Sequence, residues 1–139
     1  MKKMFELRHP DAVIPIRATS GAAGFDLSAC HDERIVPGNW MVINTGVSVN
    51  IPDGHYAMVC SRSGMAAKFC VFVANAPGII DSDYKDEIKV ILKNAGNRPF
   101  DIKIGDRIAQ LVFAQCDTAI YTPVTSDSVR KGGLGSTGR

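Results

Sequence analysis

The chain has 139 residues, of which 45% are hydrophobic and 22% charged, enough for one globular domain around a single core. With 16 basic against 14 acidic side chains the net charge is only +2, so neither nucleic acid nor a membrane is expected as a partner. No apolar run approaches membrane-spanning length, and the start, Met1-Lys2-Lys3-Met4-Phe5, soon turns charged; no signal peptide is expected, and the cytoplasm is the expected compartment.

In chain order, residues 5–9 and 13–16 read as short strands that Pro10 and Pro15 hold at an edge. A loop of small residues, Thr19-Ser20-Gly21-Ala22-Ala23-Gly24, precedes the alternation of Phe25-Asp26-Leu27-Ser28-Ala29-Cys30. Ile35-Val36 leads into a Pro37-Gly38 turn. Residues 40–44 and 47–51 are strands around Thr45-Gly46, and the turn Pro52-Asp53-Gly54 introduces a strand over 56–60. Residues 61–69 make the one helical turn, with Ala66 and Ala67 inside it. Strands over 71–74, 88–92, 100–104, 108–114 and 120–124 complete the set. Short strands at regular spacing between turn signals predict an all-β sandwich or barrel. After Val124 large apolar residues almost vanish and the chain ends Gly132-Gly133-Leu134-Gly135-Ser136-Thr137-Gly138-Arg139. The expected organisation is therefore a β domain over residues 1–124 and a mobile glycine-rich arm over 125–139.

Cys30, Cys60, Cys70 and Cys116 form no Cys-x-x-Cys pair, and His9, His31 and His55 sit at no metal-finger spacing, so free and mostly buried thiols are expected. His31 directly follows Cys30, but a strand sends neighbours to opposite faces.

The chemistry gathers around Asn75-Ala76-Pro77-Gly78-Ile79-Ile80-Asp81-Ser82-Asp83-Tyr84. Pro77-Gly78 is a turn signal, and Ile79-Ile80 delivers Asp81 with Tyr84 close behind. Ile88, Val90 and Leu92 then alternate with Glu87, Lys89 and Lys93, which predicts a β-hairpin carrying a carboxylate and an aromatic at its mouth. Such a carboxylate beside apolar residues suits a general base, while Asp and Ser are also ordinary solvated turn residues. Four further signals have double readings. Ser61-Arg62-Ser63-Gly64 is either an anion site at a helix start or an N-cap serine beside an exposed arginine. Gln110, within Gly105-Asp106-Arg107-Ile108-Ala109-Gln110-Leu111-Val112, is a core hydrogen-bonder or a ligand contact. Asp26 holds a metal-bound water or caps a loop. In the terminal arm, glycine N–H groups, the Ser136 and Thr137 hydroxyls and the Arg130, Lys131 and Arg139 charges suit an anion, or form a plain tail; no Gly-Lys-Ser/Thr makes it a Walker loop.

Taken in order, Ala23-Gly24-Phe25-Asp26-Leu27-Ser28-Ala29, Ser61-Arg62-Ser63-Gly64, residues 75–88, Arg107-Ile108-Ala109-Gln110-Leu111-Val112 and residues 132–138 resemble the five motifs of the trimeric dUTP pyrophosphatase (dUTPase) family. The resemblance spans residues 23–138 and implies a jelly-roll-like β-barrel, a homotrimer with three sites shared between subunits, and Mg2+-dependent hydrolysis of dUTP at the α-phosphorus. The products would be dUMP and pyrophosphate, supplying dUMP and keeping uracil out of DNA. Asp81 matches the general base, and Tyr84 the aromatic packed on the deoxyribose. Asn75, Gly78, Ile79 and Ile80 match the uracil-reading segment, with Lys89 a further substrate contact. Arg62, Ser63, Gly64 and Gln110 match phosphate-side contacts, and Asp26 a carboxylate that holds Mg2+ through water. Arg130, Leu134, Gly135, Ser136 and Thr137 match the arm that closes over the substrate.

The chain departs from the family pattern in four places. Ser61 stands where proline usually precedes Arg-Ser-Gly, and Asp86 where glycine follows the motif-three tyrosine. Leu134 replaces the arm's aromatic, and the arm's arginine is shifted by one residue, to Arg130. Related dCTP deaminases share the fold, but they resemble Arg-Ser-Ser followed by Ala-Arg, against which Gly64 and Ala67-Lys68 speak. A non-catalytic nucleotide-sensing module would not need Asp81, Tyr84 and Asn75 together.

Overall fold

The computed structural model describes residues 3–119, and the structural statements below concern those residues. The elements in order are β1 (Phe5–Leu7), β2 (Gly24–Ser28), β3 (Glu33–Ile35), β4 (Trp40–Asn44), β5 (Val47–Val49), β6 (His55–Cys60), α1 (Ser63–Phe69), β7 (Val71–Val73), β8 (Gly78–Ile80), β9 (Lys89–Asn94), β10 (Phe100–Ile102) and β11 (Arg107–Gln115). Strands β2, β11, β6 and β8 make one sheet in that order, β4, β9 and β7 a second; β1 pairs with β5 and β10 with β3, all antiparallel. This is the expected all-β, jelly-roll-like barrel.

Burial follows the pleat. Along β9, Val90, Leu92 and Asn94 point inward while Lys89 stays out. Leu27, Ile43, Val59, Ile102, Ile108 and Leu111 meet them from the other strands in one continuous core. Each such side chain stabilises the fold by roughly 1.5–3 kcal/mol when fully buried. Phe5, Phe25 and Phe113 pack with ring centroids 5.4 to 6.3 Å apart and fasten β1 to the larger sheet.

Asn94 is one of the buried polar residues, with Thr45, Ser28 and Ser48. It is fully buried; its Nδ2 donates to the Ile35 and Arg98 carbonyls, both at 2.8 Å, and its Oδ1 accepts the Gly96 N–H at 2.9 Å. Gly96 lies so close to the helix end that a Cβ there would stand 2.5 Å from the Phe69 carbonyl oxygen.

Several expectations are corrected. Residues 13–16 form no strand: Asp26 N–H donates to the Ile16 carbonyl at 2.9 Å, but Pro15 has no N–H with which to extend a ladder. The hairpin predicted around Asp81 is not a hairpin. Strand β8 pairs with β6, and β9 with β4 and β7, so its two arms lie in different sheets. Alternation is the same for a hairpin and for a crossing between sheets, since both bury one face. The cysteines are free, yet only Cys30 is buried; Cys60 is half-buried and Cys70 and Cys116 are exposed. Cys70 caps α1 in a left-handed conformation at φ 55°, at the end of the helix and outside the core. The strand expected over 120–124 and the arm over 125–139 lie outside the described residues.

Replacing Asn94 by alanine leaves core carbonyls and the Gly96 N–H without this partner. The expected cost is about 2–4 kcal/mol, because each unsatisfied buried group costs ~1–3 kcal/mol. The denaturant midpoint at fixed protein concentration reads it, and an unchanged midpoint would show the amide to be dispensable.

Candidate active site

The site is built where the chain leaves one sheet for the other. The turn between β7 and β8 contains a cis Ala76–Pro77 bond. Gly78 pairs with Val59 of β6 and is buried; a Cβ on it would come within 3.0 Å of Asn75 Nδ2, so glycine lets the Asn75 amide lie against the strand. Beyond Ile80, Tyr84 N–H donates to the Asp81 carbonyl at 3.1 Å, and the Tyr84 hydroxyl donates to the Glu87 carbonyl at 2.7 Å. The ring is thereby fixed although it is exposed.

Residues 81–88 are held from below. Thr45 Oγ1 donates to the Ile88 carbonyl at 2.6 Å, and Ile88 N–H to the Val47 carbonyl at 2.8 Å. Gly46 N–H donates to Glu87 Oε1 at 2.7 Å, and Arg8 Nη2 to the Lys85 carbonyl at 3.0 Å. Gly46 sits at φ +67°, with a notional Cβ only 2.6 Å from His9 Cβ, so no side chain fits there.

These constraints leave a cavity of about 200 Å³. Asn75, Gly78, Ile79 and Ile80 line it, Asp81 and Tyr84 stand at its rim, and Lys89 completes it, with Val59 and Ile88 as apolar walls. Every site residue expected between Asn75 and Lys89 is therefore brought together. Asp81 itself is exposed rather than enclosed by apolar side chains.

A second group forms on the far side of β6. Gln110 lies opposite both Cys60 and Asp26, and its Nε2 donates to the Ser61 carbonyl at 2.9 Å. Asp26 is four-fifths buried, with Arg107 Nη1 at 3.3 Å and Arg62 Nε at 3.8 Å from its carboxylate. Arg62 Nη1 also donates to the Arg107 carbonyl at 2.9 Å. Arg62 occupies the N-cap position of α1, with no side-chain cap bond, so the N-cap serine alternative fails. Ser63 and Gly64 are exposed, and a Cβ on Gly64 would meet nothing within 4 Å; this chain's own packing does not demand glycine there.

The two groups do not share a cleft within one chain. The cavity lies on β8 and Asp26 on β2, the opposite edges of one four-stranded sheet. Three strand spacings separate those edges, about 14 Å. Among the described residues no cluster of three or more His, Cys, Asp or Glu side chains could hold a metal ion. No described helix is long and apolar enough to cross a membrane. Arg130, Leu134, Gly135, Ser136 and Thr137 lie outside the described residues. Sequence reasoning missed Arg107, which pairs with Asp26, and the hydroxyl of Ser61; the one available signal was that Ser61 departs from the motif.

The antiparallel barrel thus offers a strand edge, an aromatic and a carboxylate on one side, and a guanidinium pair on the other, groups able to pair a polar ring and to receive an anion. The dUTPase family model matches residues 11–138. A deoxyuridine 5'-triphosphate nucleotidohydrolase of Beijerinckia indica is 47% identical over 95% of this chain and 88% of its own length. That of Anaplasma marginale is 45% identical over 90% and 88%. A solved structure of a mutant dUTPase from phage phi11 of S. aureus, in which a structural Mg(II) ion is coordinated, superposes with a TM-score of 0.81 at 25% identity, covering 86% of this chain and 94% of that one. The chain belongs to the dUTPase family.

Gly24 tests the Gln110 geometry. A Cβ there would stand 2.3 Å from Gln110 Oε1, the movable end of a side chain. Gly24→Ala should keep the fold, losing less than about 1.5 kcal/mol, the worth of one hydrogen bond. It should swing the amide away from the Ser61 carbonyl, and the Gln110 side-chain NH2 signals in NMR spectra should shift. Unmoved signals would show that Gln110 does not need this space.

Proposed function

We propose that the protein hydrolyses dUTP to dUMP and pyrophosphate, with Asp81 as the general base that activates water for attack on the α-phosphorus. The observation that carries the proposal is the single cavity of about 200 Å³ uniting Asn75, the β8 backbone, Asp81 and Tyr84. Strand β8 is an edge, so its outer N–H and C=O groups are available to pair with the base. Uracil presents acceptor, donor, acceptor along that side; cytosine presents a different order, and a thymine methyl crowds a tight turn. The Tyr84 ring, fixed through its hydroxyl, packs on the deoxyribose and leaves no room for a 2′-hydroxyl.

The phosphates belong to the second group. Arg62, Ser63, Gly64 and Gln110 receive them, and the open space over Gly64 supports a close approach there. Because Asp26 lies three strands from the cavity, and neither Arg62 nor Gln110 lines it, this reading takes a complete site from neighbouring subunits of a homotrimer. Residues 125–139 serve as the closing arm, in which Arg130, Ser136 and Thr137 supply phosphate donors, Gly135 backbone freedom and Leu134 an aliphatic cover for the base. Of the groups around Asp26 the carboxylate alone can hold a cation, and the two guanidinium groups repel one, which fits an ion that arrives with the triphosphate and not one caged by protein. Asp26 would hold Mg2+ through water, and the ion would offset the phosphate charge. The cytoplasm is the setting this reading assigns.

Pyrophosphate release from dUTP against dTTP, dCTP and UTP, with ammonia release from dCTP as the deaminase control, tests the proposal. Only dUTP should turn over. Asp81→Asn should keep binding and lower turnover ~10²–10⁴-fold. Retention of more than about half the activity would remove Asp81 from the base role. Tyr84→Ala should raise kcat/KM for UTP relative to dUTP, whereas Tyr84→Phe keeps the ring and the discrimination. An unchanged ratio in Tyr84→Ala would dismiss the steric account.

A further inference from the structure

Ser61 is joined to both sheets. Its carbonyl accepts Gln110 Nε2 at 2.9 Å, from β11 of the larger sheet. Its Oγ accepts the Val73 N–H at 2.9 Å, from the end of β7 in the smaller sheet. Val73 is held independently, since β7 is laddered to β9 through Val73 and Leu92. Arg62 follows Ser61 directly, and Asn75 stands two residues past Val73. The segment between β6 and α1 is otherwise held only at Arg62, whose Nη1 donates to the Arg107 carbonyl and whose own carbonyl accepts the Ala66 N–H at 3.1 Å; Ser63 and Gly64 are exposed.

We propose that Ser61 is a positioning residue, whose hydroxyl pins the segment carrying Arg62, Ser63 and Gly64 to β7 and so sets the phosphate-side donors, Gln110 included, for a triphosphate. The inference rests on the functional reading above and adds a residue to it. The family motif usually carries proline here, which has no hydroxyl; this chain substitutes a tether of its own kind. Apart from Asn75, two residues past Val73, the base-side cavity is held by other contacts. Its walls are set by the β6–β8 ladder and by the contacts of residues 81–88 with Thr45, Gly46 and Val47.

Binding of two probes separates this role from a structural one. One is dUMP, which carries the base, the sugar and a single phosphate. The other is dUpNHpp, which adds the rest of the triphosphate with an imide bridge. Ser61→Ala should bind dUMP within about twofold of wild type and lose roughly tenfold for dUpNHpp, the equivalent of one hydrogen bond of about 1.4 kcal/mol. Ser61→Thr, which keeps a hydroxyl, should restore dUpNHpp binding. Equal losses for both probes with a lowered melting temperature would make Ser61 merely structural and overturn the inference, as would an alanine variant that binds both like wild type. A wild-type protein that neither binds dUpNHpp nor releases pyrophosphate from dUTP would overturn the functional reading itself, a different outcome from either.

Discussion

The crossing of the chain from one sheet to the other, between Ile80 and Lys89, is the constraint on which the rest of the molecule depends. Both ends are fixed by ladders that belong to different sheets, so the intervening residues cannot relax into a hairpin. Thr45 resolves the difficulty at the lower end. Its hydroxyl donates to the Ile88 carbonyl and also accepts the Val47 N–H at 3.2 Å, all in a fully buried position. A buried hydroxyl so engaged closes the gap between β4 and β5 and at the same time receives the incoming chain. Gly46 beside it supplies the backbone turn and an N–H for Glu87. Carboxylate, aromatic ring and edge strand are thus held on one cavity by groups that lie beneath it.

Charge is distributed differently on the two sides. Around Asp26 the balance is two guanidinium groups to one carboxylate, a local excess of positive charge on a chain whose net charge is only +2. An anion gains there from both attraction and directed donors. The cavity side gathers neutral groups, with Lys89 and Asp81 at its margin. Elsewhere on the surface Arg34 and Asp101 form a close pair, 2.6 Å apart, in which the guanidinium holds the carboxyl below its usual range. Cys30 sits at the opposite extreme: burial, then the nearby Glu87 charge, push its thiol up.

Most of the strands were legible because their alternation has a period of two and their ends carry turn residues. Residues 56–60 and 88–92 are examples, where Ala57 and Val59, and Ile88, Val90 and Leu92, met the core from one face. The candidate site was legible as a set of motifs, and the cavity gathers the third of them, from Asn75 to Lys89. What local pattern cannot encode is the identity of a strand's partner. The supposed hairpin failed for that reason, and residues 13–16 failed because a proline-bounded apolar run can lie against a sheet without joining it. Asp26 offered two readings in sequence. Its pairing with Arg62 and Arg107 depends on β2, β6 and β11 meeting across long chain separations, which no spacing rule reaches.

Strand β8 has only three residues and pairs on one side, leaving its other side open while the exposed side chain of Ile79 faces outward. An edge of this kind would ordinarily invite another chain, and its shortness limits that hazard. If the nucleobase is read there, it is read by peptide groups, which every residue type except proline supplies alike. Selectivity of that kind is stored in the path of the backbone and not in side-chain identity. Drift at Ile79 would then change the wetting of the pocket while leaving the recognised base the same, so selection over evolutionary time would act on the glycines and contacts that shape the path more strictly than on the residue nearest the ligand.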